Sequence, residues 1–353
     1  MSFDRTNKKR VITMRIMLKA KKAVVAMVAS VAFASAAQAI ELKSVTMCAF
    51  MMMGEGGPEH QMLLDYQAAA LNWGVKLELK SYMNEKIVTE ELKAGVCDLA
   101  NVTGMQARNF NKFTGTLGSP GSIPTYEHLK LVLDTLATPK AAKYMKQGEF
   151  EIVGIQSIGA IYLFTNDRTI QSVSDLAGKK MGVLDSMPEM RQMVADMGMT
   201  PVSSTVTNIF QKFNNGVIDV TGGPAIVYDI MELYKGLEPN GGILAAPLVQ
   251  GDMQFVARAS KMPEGFAQKS REYFAGNFES SMTLIRAAEE NIPKKWWIPI
   301  PEGKEGELNA QTRRIRLAFR DMGVYDPKML TLLRKIRCKL DATLSECTSK
   351  DAE

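Results

Sequence analysis

Apolar and polar positions change period repeatedly between residues 42 and 103. Residues 42–50 (LKSVTMCAF) form a short apolar run, and residues 61–73 are rich in alanine and leucine between Pro58 and Gly74. Val75–Tyr82 (VKLELKSY) alternates apolar with polar, Glu85–Ala94 leads into Gly95, and residues 96–102 are apolar again. Alternation at period two marks a half-buried strand, while proline opens a helix and glycine closes one. The pattern therefore predicts strand, helix, strand, helix, strand, the rhythm of a parallel sheet covered by helices. Residues 51–60 (MMMGEGGPEH) are a glycine-containing loop after the first strand.

A middle section follows, with a loop over residues 114–124, helical runs over 126–148, and two strands expected over 150–164 on either side of Gly159. Then the rhythm restarts. A helical turn is expected at 173–178, a strand at Lys180–Leu184, a helix at 189–197 stopped by Gly198, a strand at 201–204, a helix at 208–214 and a strand at 216–221. Gly95-Val96-Cys97-Asp98-Leu99 closes the first unit, and Gly216-Val217-Ile218-Asp219-Val220 closes the second. In each, the glycine ends a helix and the apolar residues enter a buried strand. Asp98 and Asp219 sit where a carboxylate accepts backbone amide hydrogens, so both are read as structural. The repeat predicts two similar α/β lobes. From residue 266 the chain is mostly helical. There Met329, Leu332, Leu333, Ile336 and Leu340 recur at helical spacing, with Arg334, Lys335, Arg337 and Lys339 on the other faces. This is read as a solvated basic face over a packed one, with an anionic membrane or a partner as the alternative.

Charge changes this picture only once the N-terminus is set aside. The chain has 43 Lys+Arg against 38 Asp+Glu, a net charge of +5. Arg5, Lys8, Lys9, Arg10, Arg15, Lys19, Lys21 and Lys22 precede an alanine-rich run over 23–36 that exits through Ala37-Gln38-Ala39. A basic segment, a short apolar run and a small-residue exit predict a signal peptide over residues 1–39, cleaved after Ala39. The apolar run is short of the roughly 20 residues that span a bilayer. The leader holds those basic residues and one acid, Asp4, so the mature chain carries −2. Its basicity is an export signal, and no nucleic-acid partner is expected.

The mature chain is long for one core and suits two lobes. Lobe 1 is expected over 40–152, lobe 2 with crossover strands over 153–265, and a helical region over 266–353 packing across both. Export takes Cys48, Cys97, Cys338 and Cys347 into an oxidising compartment. Of the three pairings that four cysteines allow, Cys338–Cys347 and Cys48–Cys97 are favoured, with four buried thiols as the alternative.

The segments "FTNDRTIQSVSDLAGKKMGVLDS" and "NNGVIDVTGGP" carry a likeness. Here the chain resembles the DctP-type solute-binding proteins of tripartite periplasmic (TRAP) transporters, with their DL-x-G-x-K-I-R-V and G-x-x-D-G-x-x-N-P segments in the same order. The likeness extends in outline over most of the mature chain and weakens toward the C-terminus. Closer still, it resembles uncharacterised proteobacterial solute-binding sequences, some of whose relatives carry the label of an RND-type efflux component linked to aminoglycoside resistance. The resemblance implies a two-lobed periplasmic binding protein fold (type II-like), each lobe a parallel-dominated sheet flanked by helices. It also implies a periplasmic location, a small solute held in an interlobe cleft, delivery to a membrane permease, no cofactor and no catalysis.

Two departures bear on the solute. The family's arginine, which clamps a carboxylate, falls on Gly182, and the asparagine of its N-P pair falls on Gly223 ahead of Pro224. An arginine fork recognises a carboxylate in bidentate fashion and glycine has no means to do so, so an organic acid is not the expected solute. Arg191 and Arg108 are read first as surface arginines, with a displaced clamp as the alternative for either.

In such folds ligands sit beyond the carboxyl ends of the strands. That nominates Met52, Met53, Gly54 and Glu55 after the first strand, and Asn101, Thr103 and Met105 after the first corner. In the second lobe it nominates Asp185, Ser186, Met187 and Arg191, and then Thr221, Gly222 and Gly223. Methionine abounds along the whole chain, 24 in all. Core packing is therefore its leading reading, an apolar or aromatic-bearing ligand the second, and Cu(I) the last. His60 and His128 have no metal-ligand spacing, and no metal is expected. Two further function classes stand beside solute capture. One is a soluble accessory of a drug-efflux system, since neither a membrane span nor a long heptad hairpin is present for a pump or adaptor. The other is a secreted enzyme, for which neither G-x-S-x-G nor H-E-x-x-H is found.

Overall fold

The computed structural model describes residues 42–303, 305–348 and 353; the expected leader, residues 1–39, lies outside the described residues. Strand β1 (Lys43–Phe50), helix α1 (Pro58–Leu71), strand β2 (Val75–Tyr82), helix α2 (Glu85–Ala94) and strand β3 (Leu99–Thr103) form in the order the pattern predicts. β1 pairs in parallel with β2 along its length, and with β3 from Met47 opposite Leu99 to Ala49 opposite Asn101. Helix α2 starts where the Asn84 side chain accepts the Lys86 N–H and stops at Gly95, whose φ of 76° is open to glycine at little cost.

After helix α3 (Tyr126–Ala137) and the short strand β4 (Lys146–Gln147), β5 (Phe150–Thr165) crosses the molecule. The second half repeats the first as β6 (Lys180–Leu184), α4 (Pro188–Asp196), β7 (Thr200–Ser204), α5 (Ile209–Asn214) and β8 (Val220–Pro224). β9 (Gly242–Leu244), β10 (Val249–Arg258), α6 (Phe266–Gly276), α7 (Phe278–Asn291), β11 (Trp297–Ile298), α8 (Glu305–Asp321) and α9 (Pro327–Leu340) complete the order. The main sheet runs β2-β1-β3-β10-β5-β8-β6-β7. Its outer strands are parallel, whereas β10 and β5 run antiparallel to their neighbours in the middle.

The two corners repeat bond for bond. Asp98 accepts the Thr46 N–H at 3.2 Å and donates its own N–H to the Thr46 carbonyl at 2.9 Å. Asp219 accepts the Lys180 N–H at 2.8 Å and donates to the Lys180 carbonyl at 2.8 Å. Both aspartates therefore lock the start of a corner strand to its neighbour.

Four expectations change. Residues 150–164 form one long strand rather than two. Gly251 of β10 lies opposite Gly159 and Asp252 opposite Ser157, so Ile158 is an extra residue, a β-bulge that bends β5 without breaking it. The expected boundary between residues 152 and 153 falls inside this strand. β10, assigned above to the second lobe, pairs with β3 of the first. Finally, the basic face of α9 is only partly solvated. Arg337 is buried, donating to Glu346, to Glu353 and to the Ser122 carbonyl, while Leu330 takes a core position and Leu340 is exposed.

The C-terminal region packs on both halves. Phe266 and Phe274 join Tyr66 and Phe255 in the first core, and Ile292 and Trp296 join Phe164, Phe210 and Phe213 in the second. Both expected disulfides are present, with Cα–Cα distances of 5.8 Å for Cys48–Cys97 and 5.6 Å for Cys338–Cys347. Among the described residues no helix is long and apolar enough to cross a membrane.

Candidate binding cleft

The carboxyl ends of β3, β6 and β8 converge where the central strands pass between the halves. A cavity of about 250 Å³ opens there. Thr103 and Met105 line it from the first half, Leu184, Gly222 and Gly223 from the second, and Ile158, Gln250 and Asp252 from the β5–β10 pair. Most of the remaining wall is apolar, including Met181, Met190, Ile209 and Phe210. A second, more polar cavity of about 470 Å³ adjoins it, sharing Leu184 and Val206 and reaching Glu85, Asn109, Asp185 and Ser186.

Charged groups at the apolar cavity are few and differently satisfied, whereas the polar one also carries Lys86, Glu90, Lys93 and Asp185. Arg108, just past the helical turn Gly104–Ala107 that follows β3, donates to Glu189 in the first turn of α4 at 2.6 Å, both side chains being mostly buried. This ion pair joins the two halves. Its guanidinium also stands 5.6 Å from the ring centre of Tyr325, another cavity residue. Glu85 accepts the Thr103 N–H at 2.5 Å, and burial raises its pKa above the ordinary carboxylate value. Asp252 is only 7 % exposed, and its carboxylate receives a hydrogen bond from Gln254 Nε2 at 2.8 Å. Burial pushes it up to about 7.

The loop that walls the cavity at Gly115, Gly118 and Pro120 is braced from behind. Arg316 of α8 donates to the Pro120 carbonyl at 2.8 Å and to Glu353, and Arg337 holds the Ser122 carbonyl at 2.8 Å. Buried arginines satisfied by carboxylates and carbonyls hold such a loop in one arrangement.

Of the residues nominated from sequence, Met52, Thr103, Met105, Met187, Gly222 and Gly223 line the apolar cavity, and Asp185 and Ser186 line the polar one. The others line neither. Asn101 spends both ends of its amide on the Phe50 backbone, at 2.9 Å each, bridging β3 to β1 as a ladder rung would. Thr221 is fully buried in β8, where it pairs with Phe164. Glu55 is exposed and accepts from Ser81, while Met53 and Gly54 remain in the outer loop. The Arg191 side chain is 47 % exposed and 4.0 Å from Asp185. Arg108 is the arginine that reaches the cavity, and Glu189 already holds it.

Sequence reasoning missed Asp252, Gln250, Ile158 and Tyr325. Their positions follow from the β-bulge and from the turn between α8 and α9, which pattern alone does not register. Metal chemistry finds no support in the cysteines: Cys48 and Cys97 stand beside Glu91, and the disulfide consumes both sulfurs.

Comparison with known proteins agrees with this geometry. The family model described as "Solute-binding protein AdeT 1/2" matches residues 22–352. The chain is 38% identical over 302 residues to "Probable solute-binding protein AdeT1" of Acinetobacter baumannii, covering 86% of this chain and 99% of that protein. It is 24% identical over 235 residues to "Probable solute-binding protein AdeT2" of the same organism, covering 66% and 98%. Among solved structures, a TRAP periplasmic solute-binding protein from Desulfovibrio salexigens with bound orotic acid superposes at a TM-score of 0.68, with 14% identity over 84% of this chain and 99% of that one. The ectoine-binding protein of the TeaABC TRAP transporter of Halomonas elongata gives 0.69, with 12% identity over 85% and 100%. These structures share the two-lobed fold, and the closer sequence relatives carry the assignment: the chain belongs to the AdeT1/2 family of solute-binding proteins.

Proposed function

We propose that the two halves close around one small solute in the apolar cavity, and that the protein presents this solute, chemically unchanged, to a TRAP-type membrane permease in the periplasm. The observation that carries the reading is the shared cavity itself, walled by strand ends of both halves and bridged by Arg108 and Glu189. Strand ends at such a junction are the usual ligand site of open α/β sheets, and hinge closure between lobes is a common way to enclose a ligand. At about 250 Å³ the space is no larger than the smallest ordinary ligand pockets, of roughly 300 Å³, so the solute is small. Family membership supports capture. The TRAP-type fold supports the permease, and the two disulfides agree with an exported protein.

A thermal-shift screen of small metabolites, repeated on Gly222→Phe, tests the reading. A Cβ at Gly222 meets only Ile161, at 3.3 Å, so a small shift of Ile161 admits the phenyl ring toward the cavity that Gly222 lines. The expected result is a stabilising solute for the parent protein and none for the folded variant. A solute that stabilises both equally would place binding outside the cleft and contradict the proposal.

A further inference from the structure

The cavity is apolar apart from a few groups, and their charges do not balance. Arg108 is neutralised by Glu189 at 2.6 Å. Asp252 has no such counterpart: among the described residues no lysine, arginine or histidine nitrogen comes within 4.0 Å of its carboxylate. One of its oxygens is held by Gln254, and among the described residues the other has no hydrogen-bond donor. Tyr325, beside Arg108, is the other ionisable group lining this cavity, and the adjoining polar cavity carries Glu85, engaged by the Thr103 N–H, with Lys86, Glu90, Lys93 and Asp185. Its two lysines lie outside the apolar lining and more than 4.0 Å from the Asp252 carboxylate.

The placement of Asp252 is built into the fold. It sits at the β-bulge where β10 slips one residue past β5, and bulges re-aim side chains at functional sites. Gly104 makes room for it, since a Cβ there would stand 2.5 Å from Asp252 Oδ1. An unpaired carboxylate in an apolar wall costs folding stability, and such a cost is expected where a ligand relieves it.

We propose that the solute is a small cation with an apolar body, a protonated amine or a quaternary ammonium, and that Asp252 is its counter-ion. The inference rests on the capture reading above and names the class of solute. The Asp252 carboxylate takes the ammonium, while Ile158, Ile209, Phe210 and the cavity methionines cover the apolar part. Gly182, where the family's carboxylate clamp would stand, agrees with this reversal of charge. Ammonium binding requires the ionised aspartate, so affinity grows as pH rises through about 7 and is lost below it.

The test is isothermal titration with matched probes on benzyl, cyclohexyl and isobutyl bodies, each as amine, trimethylammonium, carboxylate and alcohol. The expected result is binding among the cations only. The trimethylammonium probe carries a fixed charge, so its affinity should fall about tenfold per pH unit below 7, a slope set by the protein. Asp252→Asn should weaken that probe at least tenfold at pH 8 and flatten the slope, with thermal melts showing that the variant folds. If it does not fold, the pH slope of the parent protein still decides. Binding by carboxylates or alcohols but not cations would overturn the inference and leave solute capture standing. Cation binding with neither a pH slope nor sensitivity to Asp252→Asn would also overturn it. Binding by no probe overturns the inference, and the metabolite screen with Gly222→Phe then judges capture by itself.

Discussion

A side chain at Gly182 has nowhere to go: its Cβ would meet Ile218 Cδ1 at 2.8 Å and Ile209 Cδ1 at 2.9 Å. At Gly223 the same atom would meet Phe210 Cε1 at 3.0 Å. At the two positions that the likeness to DctP-type sequences sets against their polar recognition residues, the space is thus filled by helix α5 and its neighbours. Restoring the arginine as Gly182→Arg is therefore expected to cost about 1–3 kcal/mol, read by chemical denaturation, without producing organic-acid binding. Asp252 makes the complementary prediction. Its folded pKa, about 7, lies above the ordinary 3.8, so between those values the folded protein holds a proton the unfolded chain has released. Stability attributable to this group is present at low pH and falls as pH rises toward 7. Asp252→Asn should accordingly stabilise the protein at pH 8 by roughly 2–4 kcal/mol and change little at pH 4, as thermal melts across that range would show. Of these residues the glycines drew notice in the sequence, through the likeness carried by the segments around Lys180 and Asp219. Asp252 did not, because its neighbours at the cavity come from strands distant in sequence.

Secondary elements were legible wherever local signals agreed. Val75–Tyr82, Glu85–Ala94 and Lys180–Leu184 fall where alternation, a cap or a terminal glycine places them. The single strand β5 was read as two because Gly159 imitates a turn. Tertiary pairing overrides that signal: β10 and β8 hold the strand on successive stretches, and the bulge absorbs the irregularity. Arg337 was read as solvated because periodicity sees polarity but not the carboxylates that later chain brings to it. The disulfides give a prediction at this scale. Cys48–Cys97 ties β1 to the corner before β3 across 49 residues, whereas Cys338–Cys347 closes a separation of 9. Loop-closure entropy then assigns about 4 kcal/mol to the first and about 2.7 kcal/mol to the second. Replacing each pair by alanines and comparing denaturant midpoints should show the larger loss for Cys48 and Cys97, and equal losses would contradict that origin.

For the whole molecule, the repeated corner announced two similar units, and the continuous sheet shows how they are joined, through β5 and β10. The ion pair across the cleft was illegible in sequence, since only the fold brings Arg108 and Glu189 together. A double-mutant cycle on this pair should return a coupling of roughly 0.5–3 kcal/mol. If the pair holds the closed form, Arg108→Ala should also speed solute release more than it slows capture, as stopped-flow binding would show. An unchanged dissociation rate would assign the pair to stability alone. Whether the junction between the halves holds the solute is decided by a crystal structure of the protein with its solute retained from its native host. Density is expected for one small molecule between Thr103, Leu184, Gly222 and Asp252, with the two halves closed on it. A solute bound elsewhere on the molecule, with only water between the halves, would contradict it.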